Sequence, residues 1–337
     1  MEKRRYSRNS GRAILRLVCL GLLGTVAVAP AKENKPLAVR VIPPDLRSKV
    51  EIRLNLIYGD VDPEFQRLDA YLVKSERPTP VLVHIHGGGW YSGNKSEAVF
   101  KETKPYLACL RAGISVVSIQ YRLAPKYAYP AQVEDTVRAV QYIRQQAQEW
   151  KIDPARIAAT GFSAGAHLTA WVALHDDLAE PRSEDPIRRQ SSRLSAFVLD
   201  QGPVDLTRYD ERSEAMNSAL SKLVGCTPQE YNVTEESRRI IGLASPITYV
   251  SPDDPPGLLI GRLRENADPN GEIPKLFQFS SYFGPHSIWN AELLARAMQK
   301  HKVPYERCYN KTEARDVDTI PEEHDAIVAF LKKQLQP

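Results

Sequence analysis

From Lys32 to Pro80 the chain alternates short apolar stretches with charged residues, and "VEIRLNLIYG" and "LDAYLV" carry the two-residue period of half-buried strands. They predict two antiparallel edge strands. The texture changes near Pro80: "PVLVHIHGGGW" and "GISVVSIQYR" are almost continuously apolar, as expected of strands covered on both faces. Between them, "KSEAVFKETKPYLACLRAG" has helical spacing and a terminal Gly113. Strand, helix, strand in that order builds a parallel sheet.

The alternation continues through the helix "QVEDTVRAVQYIRQQAQEW", the short strand "RIAAT", a helix from Ala164, and the strands "LSAFVLD" and "PGLLI". It closes with the helix "NAELLARAMQKH", the strand "YERCY" and the helix "EEHDAIVAFLKKQL". The predicted fold is α/β, a mostly parallel doubly wound sheet with helices on both faces. Two stretches break the pattern: "HDDLAEPRSEDPIRRQSSR" and the polar segment 206–243. Both read as surface insertions, the second lying over the C-terminal sheet edge, where such folds bind their ligands.

Composition refines this picture. With 337 residues, 42% of them apolar, the chain can bury a large core, and 32–337 reads as one domain. Lys and Arg total 45 against 41 Asp and Glu, and six of the basic residues fall within the first sixteen positions. The remainder is near neutral, which argues against a nucleic-acid stripe or a basic membrane patch. Those basic residues precede an apolar run, Leu17 to Ala29, and small residues at Ala27, Ala29 and Ala31. Residues 1–31 therefore read as a secretory signal, the run being shorter than the roughly 20 residues that span a bilayer. A secreted or periplasmic protein is expected, with no membrane association once the signal is cleaved. Cys109, Cys226 and Cys308 would remain, allowing one disulfide at most.

The chemistry concentrates in "ARIAATGFSAGAHLTAWVAL", where Ser163 stands between strand and helix with Gly161 and Gly165 on either side. A sharp strand-to-helix turn needs small residues there, and it exposes the hydroxyl at a helix N-terminus. A glycine-flanked helix cap would look the same in isolation. Upstream, "HIHGGGW" places three glycines after a buried strand, a loop able to turn backbone N–H groups toward that serine. Gly88, Gly89 and Ala164 are the expected oxyanion donors, each contributing roughly 2.7 to 4 kcal/mol to acyl transfer. His86 reads as a brace for the loop.

With "YRLAP", "YPAQVED", "DPARI" and "GFSAGAH" following "HGGGW" in order, the sequence resembles the α/β-hydrolases of the hormone-sensitive-lipase and carbohydrate-esterase type, including feruloyl and acetyl esterase-like proteins. The resemblance is dense from about Pro80 to Trp171. Beyond that it returns only at "DQGPVDL", "ASPITYVSPDDPPGLLI" and the closing helix. It implies hydrolysis of a small-molecule or glycan ester with no cofactor and no metal. Asp135 and Asp153 are expected to anchor helix starts.

A serine nucleophile needs a base and an orienting carboxylate, in the chain order Ser, Asp or Glu, His. The resemblance implies an acid after "PGLLI", where "GRLRENADPNGEIP" offers Asp268 and, if nothing is inserted, Glu265. It implies a histidine after the last strand, yet "NKTEARDVDT" contains none. His84 and His86 lie on the glycine-loop strand, His167 and His175 on or just after the helix following Ser163, and His301 at a helix end. His324, in the first turn of the closing helix, is the expected base, and His286 in "FGPHSIWN" is the alternative. Two readings follow: a serine esterase using Ser163, Asp268 and His324, or a hydrolase-fold protein that has lost catalysis and binds a glycan or partner.

Overall fold

Eight strands among the described residues form one sheet in the order β1-β2-β4-β3-β5-β6-β7-β8. They are β1 (Val50–Ile57), β2 (Arg67–Val73), β3 (Thr79–Ile85), β4 (Ser115–Ile119), β5 (Ile152–Phe162), β6 (Ala196–Asp200), β7 (Gly257–Leu263) and β8 (Tyr305–Lys311). The computed structural model describes residues 42–96, 103–209, 214–263, 286–311 and 321–335, all within the compact unit Pro36–Pro337. The expected signal, 1–31, and the expected acids Glu265 and Asp268 lie outside the described residues.

β1 and β2 pair antiparallel at one edge, β2 pairs antiparallel with β4, and every pairing from β4 through β8 is parallel. The predominantly apolar β3 and β4 are central and buried along their length, while β1, which alternates, is the half-exposed edge. This is the α/β-hydrolase fold. From β3 the chain moves outward to β4, then returns to the other side of β3 to lay down β5. That reversal opens a crevice at the carboxyl ends of β3 and β5, where the glycine loop and Ser163 follow.

The longer helices among the described residues are α1 (Thr103–Arg111), α2 (Ala131–Gln145), α3 (Ala164–Leu174), α4 (Glu214–Val224), α5 (Glu235–Ala244), α6 (Ile288–His301) and α7 (Pro321–Leu335). Alternation along each strand divides the core in two. Phe197 and Leu199 join Val140, Leu168, Val172, Leu294 and Met298 from α2, α3 and α6. Ala196 and Val198 face the other way, toward Tyr106 and Leu110 of α1 and Ile327, Phe330 and Leu331 of α7.

The insertion 206–243 is more than a surface addition. Its helices α4 and α5 bury Leu220, Leu223 and Ile241 in the first of these cores. The other irregular stretch is tied down by polar contacts, with Gln141 Nε2 donating to Gln190 O at 2.9 Å and Arg144 Nη2 to Arg193 O at 2.6 Å.

Two expectations need correction. β5 begins at Ile152, so Asp153 lies in a strand; it accepts from Arg156 Nε at 2.7 Å and the Ala155 N–H at 2.9 Å and anchors no helix. Asp135, the fifth residue of α2, caps no N–H of its own helix. Its buried carboxylate accepts from the Arg122 N–H at 2.8 Å, Arg122 Nε at 2.9 Å and Gln66 Nε2 at 2.7 Å, tying α2 to the "YRLAP" loop. Cys109, Cys226 and Cys308 form no disulfide with one another.

Candidate active site

Ser163 sits at the junction of β5 and α3 with φ 56° and ψ −117°, a conformation that costs a non-glycine residue on the order of 1 to 3 kcal/mol. Neighbours hold it there. Its N–H donates to Asp200 O at 3.1 Å and its carbonyl accepts from the His167 N–H at 3.1 Å. Packing is tightest at Gly165, where a Cβ would lie 2.0 Å from Ile85 O. Only a glycine lets α3 approach β3 this closely.

After β3 the chain turns back through three successive residues of positive φ: Gly88 at 101°, Gly89 at 60° and Trp90 at 65°. A Cβ on Gly88 would meet Ser92 O at 2.3 Å, so the turn closes only around glycine. The Tyr91 and Ser92 N–H groups both donate to Gly88 O, at 3.2 and 3.0 Å. None of the N–H groups of Gly88, Gly89 and Ala164 donates to another described residue.

Buried side chains hold this loop from below. The His86 ring stacks on Tyr121 with centroids 4.2 Å apart, and its Nδ1–H donates to Gly87 O at 2.8 Å. Tyr121 Oη in turn donates to His86 O at 3.0 Å. The expected bracing role of His86 is what the geometry contains. Trp90, itself buried, donates its indole N–H to His167 Nδ1 at 3.1 Å. That leaves the imidazole proton on Nε2, which donates to Ala244 O at 2.7 Å. A single chain of bonds thus joins the glycine loop, the helix behind Ser163 and the end of α5 in the insertion.

The imidazole at Ser163 is that of His286, with Nε2 2.9 Å from Ser163 Oγ. With its proton on Nδ1, the ring accepts from the serine hydroxyl. His324 lies in the first turn of α7, on the far side of the sheet from α6, so the pairing expected for His324 belongs instead to its alternative. His286 immediately precedes Ser287, whose side chain caps α6 by accepting from the Trp289 N–H at 3.2 Å. At the first residue of α6, Ile288 packs on the end of β7: a Cβ on Gly261 would come 2.9 Å from its Cγ1. Asn290 Oδ1 accepts from the Val204 N–H at 3.3 Å, and its Nδ2 donates to Tyr209 Oη at 3.2 Å. These contacts set α6 over the sheet edge, and the residue before its cap reaches Ser163. The Phe162 ring lies 4.8 Å from the imidazole and flanks it.

A hydroxyl hydrogen-bonded to an imidazole, beside three N–H groups that have no acceptor among the described residues, is an arrangement for acyl transfer. The described residues contain no cluster of His, Cys, Asp and Glu suited to a metal. They also contain no helix long and apolar enough to cross a membrane.

Burial keeps the remaining histidines of this region neutral: desolvation pushes His84 down to about 3 and both His86 and His167 down to about 4. Unfolding frees them to titrate near 6.5, so the unfolded chain binds more protons below that pH and stability falls on acidification. Asp254, raised by burial to about 6, acts in the opposite sense by one proton. Between about pH 4.5 and 6 these four groups leave a net slope of about two protons, on the order of 3 kcal/mol per pH unit. Urea unfolding across that range should show the midpoint dropping steeply, with a shallower slope in the His167→Gln variant. An unchanged slope in that variant would rule out His167 as one of the groups responsible.

Comparison with known proteins gives the family and agrees with the fold. The family model BD-FAE matches residues 68–269, well over half of the chain. The probable carboxylic ester hydrolase LipM of Mycobacterium tuberculosis is 33% identical over 179 residues, covering 52% of this chain and 39% of that protein. Arylacetamide deacetylase of Bos taurus is 35% identical over 162 residues, covering 46% and 38%. The matched segment thus spans about two fifths of each relative. Among solved structures, a truncated carbohydrate esterase from gut microbiota superposes with TM-score 0.68 at 22% identity, covering 86% of this chain and 99% of that one. An acetyl ester-xyloside bifunctional hydrolase from Caldicellulosiruptor lactoaceticus gives 0.65 at 23%, covering 84% and 96%. At these identities the structural likeness speaks for the fold.

Proposed function

Because this chain belongs to the BD-FAE family of α/β-hydrolases, we propose that it is a carboxylic ester hydrolase acting through an acyl-enzyme on Ser163. The observation that carries the proposal is the 2.9 Å contact between Ser163 Oγ and His286 Nε2. In the first half-reaction, Ser163 Oγ bonds to the ester carbonyl carbon as its proton passes to His286 Nε2. The carbonyl oxygen becomes an oxyanion facing the N–H groups of Gly88, Gly89 and Ala164. Collapse of this intermediate breaks the bond to the alcohol, which leaves with the proton from His286. Water then repeats the sequence: His286 accepts its proton, the hydroxyl attacks the acyl carbon, and Ser163 departs reprotonated. Asp268, with Glu265 as its alternative, is the carboxylate proposed to orient Nδ1.

Short acyl or aryl esters, including those borne on carbohydrates, are the proposed substrates, supported by the ordered motifs and by what the similar proteins are named for. The reading of the chain as a hydrolase fold without catalysis was motivated by the histidine-free loop after β8. With His286 at the serine, that motive is gone. The basic and apolar patterning of 1–31 supports export, which amino-terminal sequencing of the mature protein would test. For the activity itself, purified protein is expected to hydrolyse p-nitrophenyl acetate and to be labelled by a fluorophosphonate, and Ser163→Ala is expected to lose both. Wild-type protein that neither turns over the ester nor takes the label would overturn the proposal.

A further inference from the structure

The rim of the site beside the glycine loop carries an aromatic and a cation that the acyl-transfer chemistry does not use. Tyr91 stands two residues after Gly89 and is 43% exposed. Its ring lies against that glycine, where a Cβ would come 2.8 Å from Tyr91 Cε1 and 3.6 Å from Ala219 Cβ. Ala219 and Lys222 are three residues apart on α4, so they face the same way. Lys222 Nζ sits 4.1 Å from the centroid of the Tyr91 ring.

Neither group is loosely placed. α4 is fixed by its buried Leu220 and Leu223, and the Tyr129 N–H donates to Leu223 O at 2.7 Å. Lys222 is half-buried, yet its ammonium pairs with no carboxylate among the described residues. An ammonium has three donors, and a single ring face satisfies it only in part. A partly desolvated cation beside oxyanion donors attracts negative charge more strongly than one in open water.

We propose that Tyr91 and Lys222 form a substrate subsite that selects esters carrying a carboxylate beside a planar or sugar ring, the ring packing against Tyr91 and the carboxylate pairing with Lys222. This rests on the esterase reading above and adds a substrate class to it. The cation comes from the insertion and the aromatic from the glycine loop, so the subsite exists only where the two meet.

Three esters test it: p-nitrophenyl acetate, which is neutral; 4-carboxyphenyl acetate, charged on the alcohol side; and p-nitrophenyl hemisuccinate, charged on the acyl side. The readout is the charged-to-neutral ratio of kcat/KM. For at least one charged ester the Lys222→Met variant should lower that ratio about fivefold, Lys222→Glu should lower it further, and added salt should shrink the wild-type advantage. Lys300→Met, which removes the same charge from an exposed position on α6, should leave the ratio as in wild type. Tyr91→Leu should raise KM for the preferred charged ester more than it lowers kcat. If Lys222→Met keeps the wild-type ratio for both charged esters, or Lys300→Met lowers it equally, the subsite is disproved while the esterase reading stands. Failure of the wild-type protein to hydrolyse any of the three, with no labelling of Ser163, would overturn both.

Discussion

Replacing His286 with alanine should lower kcat by about four to six orders of magnitude, as loss of the base does in serine hydrolases that work through a charge-oriented imidazole. His324→Ala should stay within about threefold of wild type. The two residues give opposite outcomes because only His286 touches the serine hydroxyl. Without the imidazole the hydroxyl has no acceptor for its proton, while the N–H groups of Gly88, Gly89 and Ala164 still bind an oxyanion, so a residue of activity should persist. The Ser163→Ala, His286→Ala double variant should be no worse than either single one, since groups acting as a unit lose their effect together. Steady-state hydrolysis of p-nitrophenyl acetate checks all four proteins. A His324→Ala loss as large as that of His286→Ala would mean that the pair at 2.9 Å is not the working one. Asp268→Asn and Glu265→Gln, assayed alongside, identify the orienting carboxylate by which of them falls furthest.

Gly165→Ala should be the most damaging single methyl in the protein. The added Cβ lands 2.0 Å from Ile85 O and 2.8 Å from His86 O, both backbone atoms of the central strand region. Backbone cannot rotate away as a flexible side chain can. Either α3 retreats from β3, carrying Ser163 away from the glycine loop, or the sheet distorts. A loss of stability above about 3 kcal/mol is expected, at the upper end for overpacking, with activity down at least about a hundredfold in whatever folds. Gly242→Ala is the matching control: it lies within α5 and its Cβ would meet nothing within 4 Å. There alanine should be neutral or stabilising by about 0.4 to 1 kcal/mol. Urea denaturation of the two variants against wild type measures both. Equal stability for the pair would show that the close approach at Gly165 does not constrain the fold.

The chain of bonds from Trp90 through His167 to Ala244 explains why the insertion and the glycine loop cannot be treated separately. Helix α5 ends at the carbonyl that receives the His167 proton. Changes in the insertion should therefore reach the glycine loop through two hydrogen bonds, besides altering the rim where Lys222 sits.

Much of this was legible in the order of residues. The strands of the central sheet declared themselves because a strand covered on both faces must be mostly apolar, as β3 and β4 are, with their few polar side chains hydrogen-bonded to one another. The elbow and the glycine loop were legible because their geometry admits few residue types: Gly165 has no room for a Cβ, and Gly88 turns where a side chain would strike Ser92. Such local steric demands leave a mark at fixed spacing along the chain.

The histidine that faces Ser163 left no mark of that kind. An imidazole can reach a hydroxyl from any element that ends nearby, and no spacing in "FGPHSIWN" distinguishes His286 from His324. What decided between them was the docking of α6, through Ile288 against Gly261 and Asn290 against Val204 and Tyr209, contacts among residues far apart in sequence. The pairing of Tyr91 with Lys222 is of the same nature, since it needs α4 folded over the glycine loop. The sequence alone determined the sheet, the turn that carries Ser163 and the glycine loop, because each is a local constraint on backbone and burial. Only the tertiary structure decided which histidine faces Ser163, because that depends on where helices pack, and packing is a property of surfaces brought together rather than of neighbours in the chain.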